Sequence, residues 1–147
     1  MTLPDDPWSG HRMSDDEVAR VLDEQDVGVL SLAQEGRAYG IPMSFAYDRE
    51  NERLVMDMGF GGESKKREFL EGTLEATLAT YEWTIQTNWA SAVATGDIRP
   101  LPEAAVDDET ASWYRELASD IDVAGPVDEI VWYELRIDEL TGVGVYE

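Results

Sequence analysis

Large and small residues alternate without a break over residues 38–47. Tyr39, Ile41, Met43, Phe45 and Tyr47 fall on one side, and Gly40, Pro42, Ser44 and Ala46 on the other. A period of two is the signature of a β-strand with one buried face, and it rules out an amphipathic helix here. The large side is expected to pack a core. The small side is a strand without bulk, which a flat ligand or another backbone can approach closely. Pro42 has no N–H to give to a ladder, so it places this strand at a sheet edge or at a bulge.

Further strands fit residues 27–32, 53–58, 74–82, 89–101 and 130–137, and residues 142–146 can extend the sheet. Gln34-Glu-Gly-Arg37 and Asp48-Arg-Glu-Asn51 read as turns. Ser14 and Glu17 have the spacing of a capping box, and Val18, Val21 and Leu22 follow at helical intervals, so a helix is predicted to about Gln25. A short helix fits residues 63–71 and stops at Gly72, where a left-handed cap is expected. A second acidic helix fits residues 107–119, with Thr110, Trp113 and Leu117 on one face.

Hairpin-length links argue for an antiparallel sheet, and about six strands in one domain favour a closed or nearly closed barrel. The fold class is therefore mainly β with flanking helices. At 147 residues the chain is expected to hold one domain, 14–147, preceded by a flexible, polar arm, 1–13, that carries Pro4, Pro7 and Gly10.

Charge narrows the function. The chain has 11 Lys plus Arg against 32 Asp plus Glu, a formal net charge of −21. A nucleic-acid binder needs clustered cations to release counterions from phosphates, so nucleic acid is excluded as a partner, and anionic membranes are disfavoured for the same reason. No apolar run approaches the ~20 residues of a spanning helix, and Met-Thr-Leu-Pro-Asp-Asp-Pro lacks the basic and apolar parts of a signal peptide, so a cytoplasmic location is expected. With no cysteine there is no disulfide, thiolate nucleophile or Cys-ligated metal.

The acids are spread through the chain, yet Glu35 stands alone between Val27 and Tyr47. This is the pattern of an ordinary core inside an acidic shell. Repulsion within such a shell is relieved once the screening length falls to ~3 Å near 1 M salt, so a halophilic protein is expected.

Against this background the only two lysines, Lys65 and Lys66, are adjacent. They follow Gly61 and Gly62 at a strand end, with Ser64 beside them at a helix start. Amides at a helix N-terminus, a hydroxyl and two ammonium groups make a phosphate site. The other reading pairs Lys65, Lys66 and Arg67 with Glu63, Glu68 and Glu71 on a solvated helix face.

No residue announces itself as a general acid or base, and the catalytic residues stay unknown. Ser31, Ser44 and Ser91 have no core histidine to activate them, because the lone histidine is His11 in the arm, a surface residue on this reading. Asp15-Asp16 and Asp107-Asp108 lack the ligand pattern of a calcium loop, so no metal site is expected. Trp83, Trp89, Trp113 and Trp132 read as core or dimer contacts, Trp89 being the one candidate for a ligand contact.

The strand Tyr39-Gly-Ile-Pro-Met-Ser-Phe45, the turn Gly62-Glu-Ser-Lys-Lys66, and Trp89-Ala-Ser-Ala-Val-Ala-Thr-Gly96 with Arg99-Pro-Leu following occur in an order that resembles the pyridoxamine 5′-phosphate oxidase-like, FMN-binding split-barrel family. The resemblance covers about residues 14–141. It implies a six-stranded antiparallel Greek-key split barrel, a homodimer, and FMN in a groove at the dimer interface.

Residue by residue, Ser64, Lys65 and Lys66 match the family's phosphate-binding stretch. Met43, Ser44 and the backbone near them match the strand along the flavin ring, and Asp57, Met58 and Gly59 the strand end beside it. Trp89 and Ser91 match residues that border the cofactor. Many relatives have His at the position of Asp57, and the true oxidases carry an Arg-rich C-terminus that this chain lacks, which argues against vitamin B6 as substrate.

The expectation is an FMN-binding oxidoreductase acting on a small molecule. A deazaflavin-dependent reductase of the same fold and a non-catalytic flavin-binding or flavin-sensing barrel are the alternatives. The acidic shell makes a prediction of its own: the denaturation midpoint should rise between dilute buffer and molar KCl, and an unchanged midpoint would remove the halophilic reading.

Overall fold

The computed structural model describes residues 10–60, 65–113 and 129–145. Its strands are β1 (His11–Arg12), β2 (Val27–Gln34), β3 (Arg37–Ser44), β4 (Ala46–Asp48), β5 (Arg53–Phe60), β6 (Ala76–Ile85), β7 (Asn88–Pro100) and β8 (Glu129–Val145), and its helices are α1 (Asp15–Glu24) and α2 (Lys65–Gly72). Residues 108–113 are also helical, and the rest of the helix expected to residue 119 lies outside the described residues.

All strand pairs are antiparallel, in the order β3-β2-β6-β7-β8-β5-β4, with β1 on β8. The fold is mainly β, as the pattern predicted. The described strands number eight rather than six, because β1 is added and the run 38–47 is divided.

That division closes the sheet. β3 and β4 are the two ends of a seven-strand path, which in a flat sheet would lie roughly 29 Å apart. In sequence only Phe45 separates them. One residue cannot cross that gap, so the sheet must curl until its edges meet. Phe45 is 1% exposed and its N–H donates to the Asp26 carbonyl at 3.0 Å, outside either ladder. The single strand expected over 38–47 is thus corrected to two. Pro42 sits on edge strand β3, as its missing N–H requires.

The β2–β3 hairpin turns through Glu35 (φ 50°) and Gly36 (φ 76°). Two consecutive positive φ values give the turn whose twist matches the flanking strands. Gly72 behaves otherwise than expected. Among the described glycines only Gly10 and Gly36 have positive φ, and Gly72 simply ends α2. A Cβ there would run into the Gln34 side chain, so packing against β2 explains the glycine.

Helix α1 starts as read: Glu17 N–H donates to Ser14 Oγ at 3.3 Å, and Ser14 N–H donates to the Glu17 carboxylate at 3.2 Å. Its apolar stripe, Val18, Val21 and Leu22, is fully buried. It packs against β7 and β8, where small residues pair across the strands, Ala92 with Gly142 and Ala90 with Gly144. A Cβ on Gly142 would lie 2.9 Å from Val18, and one on Gly144 would lie 2.9 Å from the Met13 sulfur. The end of the expected free arm is therefore tied down. His11 and Arg12 pair with Gly144 and Val143, and Met13 is core. Residues 1–9 lie outside the described residues.

One ionic cluster fastens β4, β5 and β8. Arg53 Nε donates to Asp48 and its Nη1 to Glu134, both at 2.9 Å, while Nη2 reaches the Ala105 carbonyl at 3.3 Å. Burial alone would raise the Asp48 pKa, but hydrogen bonds from Asn51 and Arg53 outweigh it and hold the carboxyl below its ordinary value. A depressed carboxyl stabilises the fold above its unfolded pKa of ~3.9, and that contribution is lost as pH falls through the lower folded value.

Arg53→Met strands two largely buried carboxylates. It should lower unfolding free energy by about 3 kcal/mol at neutral pH, and urea titration measures this. It should also shift acid unfolding to higher pH.

Candidate functional site

Strand β5 alternates Leu54, Met56, Met58 and Phe60 into the core, leaving Asp57 and Gly59 on the other face. Helix α2 returns beside this strand end. Lys66 Nζ donates to the Gly59 carbonyl at 2.7 Å and lies 5.1 Å from the Phe60 ring centre, with the Arg67 guanidinium 4.4 Å from the same ring. Phe60 in turn rests on Tyr133 of β8, ring centres 6.2 Å apart.

Asp57 shares this half-buried corner. Burial pushes its carboxyl pKa up, and the Lys66 charge offsets part of the rise. Burial likewise pushes the Lys66 ammonium down, with Asp57 pulling it back up. Each charge is costly here and is tolerated partly because of the other.

The adjacent lysines diverge. Lys65 Nζ lies 4.8 Å from the Tyr39 ring centre and 5.8 Å from that of Phe69. Arg37, which the sequence reading did not single out, stacks over the same Phe69 at 5.3 Å. No local pattern marks Arg37, since it meets Phe69 only through the packing of α2 on β2. Ser64 lies outside the described residues.

The structure thus brings Asp57, Gly59 and Lys66 together, with Lys65 close by on Tyr39. Met43 is 8% exposed and Met58 1%, so both side chains belong to the core and only their main chain is available to a ligand. Ser44 faces outward on edge strand β3, opposite Val27.

Trp89 and Ser91 are elsewhere. Trp89 pairs with Val145 on β8, whereas Asp57 pairs with Trp132 on the same strand, thirteen residues and roughly 40 Å of contour away. Within one chain they do not meet the lysines. Trp89 stacks on Trp83 with ring centres 6.4 Å apart and planes 19° apart, and its buried Nε1 has no hydrogen-bond partner among the described residues. Ser91 Oγ is 3.4 Å from the Val143 carbonyl.

The outward face of β2, β3, β6 and residues 89–95 carries no Asp or Glu. Val27, Val29, Tyr81 and Trp83 are exposed there, Tyr81 at 69%, with Val143 of β8 exposed opposite Ser91. By contrast, a cleft of about 710 Å³ bordered by Leu22, Phe45, Tyr47 and Trp113 has Asp26 and Glu109 at its edge. Its carboxylates would repel a phosphate, whereas the lysine corner sets Lys65 and Lys66 beside the single carboxylate of Asp57.

A curled antiparallel sheet with a cationic corner where β5 meets α2 places the protein among the split-barrel proteins. The chain belongs to the pyridoxamine 5′-phosphate oxidase family, whose profile matches residues 14–143. No curated protein matches it.

Among solved structures, an FAD-binding protein from Mesorhizobium loti superposes with a TM-score of 0.78 at 21% identity, covering 92% of this chain and 98% of that one. An FAD-binding protein from Mycobacterium smegmatis gives 0.63 at 11%, covering 91% and 97%. The flavocytochrome Anf3 from Azotobacter vinelandii gives 0.65 at 13%, covering 91% and 68%. At these identities the likeness is one of fold. No helix among the described residues is long and apolar enough to cross a membrane.

The corner has a measurable signature. Because the folded pKa of Asp57 is raised, its charge costs stability at neutral pH, and the cost is relieved as pH falls through that raised value. Lys66→Met removes the one compensating cation. The Asp57 carboxyl should then titrate at a still higher pH in carbon-detected NMR, and an unmoved titration would show that the two charges do not interact.

Proposed function

We propose that this protein is a flavin-binding oxidoreductase acting on a small molecule, with the flavin phosphate on Lys66 and with FMN as the minimal ligand. The observation that carries the reading is the pairing of Lys66 with a main-chain carbonyl and an aromatic ring. Its hydrogen bond goes to the Gly59 carbonyl, and among the described residues it is in salt-bridge contact with no carboxylate, Asp57 acting on it only as a nearby charge, so a phosphate can replace that carbonyl as the hydrogen-bond partner. Family membership and the flavin-binding relatives of the same fold support it. The flavin would supply the hydride or electron transfer, and the protein its position and electrostatic surroundings.

In this reading the main chain at Met43, Met58 and Gly59 and the side chains of Ser44 and Asp57 border the ring. Lys65 lies on the phosphate side, and Ser64, outside the described residues, is assigned to it from the sequence match alone. Trp89 and Ser91 would come from a second copy, since within the chain they pair with the end of β8 far along the strand from the Asp57 corner. A homodimer fits the charge distribution as well. Two copies at −21 repel each other over most of their surface, and the acid-free outward face of β2, β3, β6 and residues 89–95 is where that repulsion is weakest. A cytoplasmic, high-salt setting agrees with the acidic composition.

Protein purified in molar KCl and equilibrated with FMN should absorb blue light and bleach on reduction. Lys66→Ala should weaken FMN binding about tenfold, a loss of ~1.4 kcal/mol. Sedimentation should give the mass of two chains, and Val29→Glu should give one chain with weakened flavin uptake. Protein that takes up neither FMN nor FAD overturns the function. A flavin-loaded single chain overturns the shared site.

A further inference from the structure

We propose that Arg37 and Lys65 form a second anion subsite beside Lys66, one that takes the second phosphate of a flavin dinucleotide and so favours FAD over FMN. The proposal rests on the flavin reading above and adds to it a residue, Arg37, with no role in that reading.

The chain has 32 acids for 11 cations, yet among the described residues Arg12, Arg37, Lys65, Lys66 and Arg136 form no ion pair. Arg20, Arg49, Arg53 and Arg99 all pair with carboxylates, within distances of 2.7 to 3.9 Å. Arg37 and Lys65 do not, among the described residues. Their contacts are the rings of Phe69 and Tyr39. Two like charges that converge on one ring repel each other, and an anion between or beside them removes that cost.

Their placement is fixed by the fold rather than left to long side chains. The Glu35-Gly36 turn makes Arg37 the first residue of β3, and α2 is bound to the same hairpin from below. Thr73 Oγ1 donates to the Phe69 carbonyl at 2.5 Å and accepts from the Ala33 N–H at 3.3 Å, while Gly72 leaves room for Gln34. Phe69 is therefore held under the hairpin tip with Arg37 above it.

Neighbouring α-carbons are about 3.8 Å apart, so Lys65 and Lys66 start from nearly one point and serve two directions. One phosphate needs only the Lys66 side. A diphosphate continues past it, and the planar guanidinium of Arg37 has the donor fork that matches phosphate oxygens. FMN ends at its single phosphate and has nothing to offer Arg37.

The test compares wild-type protein with Arg37→Gln, which keeps a planar polar group and loses the charge. FMN and FAD are titrated at one fixed KCl concentration and followed by flavin fluorescence. Expected is about a tenfold loss for FAD, with FMN within twofold and an unchanged melting temperature. Equal losses for both flavins, or none, overturn the subsite. Should Arg37→Gln fail to fold, Arg37→Lys, which keeps a cation and loses the donor fork, should likewise weaken FAD and leave FMN within twofold.

Inorganic pyrophosphate, titrated calorimetrically, separates the two proposals. If wild-type protein takes up neither flavin, the function falls, yet weaker pyrophosphate binding by Arg37→Gln still supports the subsite. Equal pyrophosphate binding by both proteins, or none by either, overturns it.

Discussion

A single residue, Phe45, joins the two opposite edges of the sheet, and most of the architecture follows from that link. An open sheet of this strand order would keep its ends far apart, so the short link forces curvature on every strand between them. Curvature encloses one face, which becomes the core of Leu30, Leu78, Leu54 and Met56. It also turns the other face outward. Small residues on β7 and β8 then let α1 sit close against the curled sheet, and the Arg53 cluster fastens the strands at the β4 end.

The same curl decides where charge can go. The inner face is closed to it, and Glu134, which is 9% exposed and bonded to Arg53, lies on the side of β8 opposite core Leu135. Acidic side chains are left to helices, turns and outer strand positions, and one broad outer face has none. At the opposite corner, where β5 gives way to α2, cations gather on aromatic rings instead of carboxylates. The acidic surface and the cationic corner are thus complementary. The first keeps the protein dispersed, and the second keeps one place where an anion is not repelled.

Local features were legible in the sequence because their causes are local. The Ser14–Glu17 box, the alternation through Tyr39 and Met43, and the edge position of Pro42 all depend on residues a few positions apart. The break at Phe45 was not legible, since it is imposed by closure of the whole sheet. Gly72 misled for a similar reason: its partner, Gln34, is 38 positions away, and a helix-ending glycine looks the same whether it is needed for its backbone or for its missing Cβ. Of the site, the lysine pair was visible as a departure from composition. Their divergence onto Phe60 and Phe69, and the arrival of Arg37, belong to tertiary packing and leave no mark in the local sequence.

The bond from Lys66 to the Gly59 carbonyl has a kinetic side. A lysine free in water must be immobilised and partly dehydrated when it captures a phosphate, and both costs fall on the binding step. Here the side chain is already half-buried and held, so those costs were met when the chain folded. Capture becomes an exchange of one oxygen for another at a nearly fixed nitrogen, and release is the same exchange reversed. In a medium crowded with small anions, a cation that begins in the grip of its own backbone is also harder for chloride to occupy.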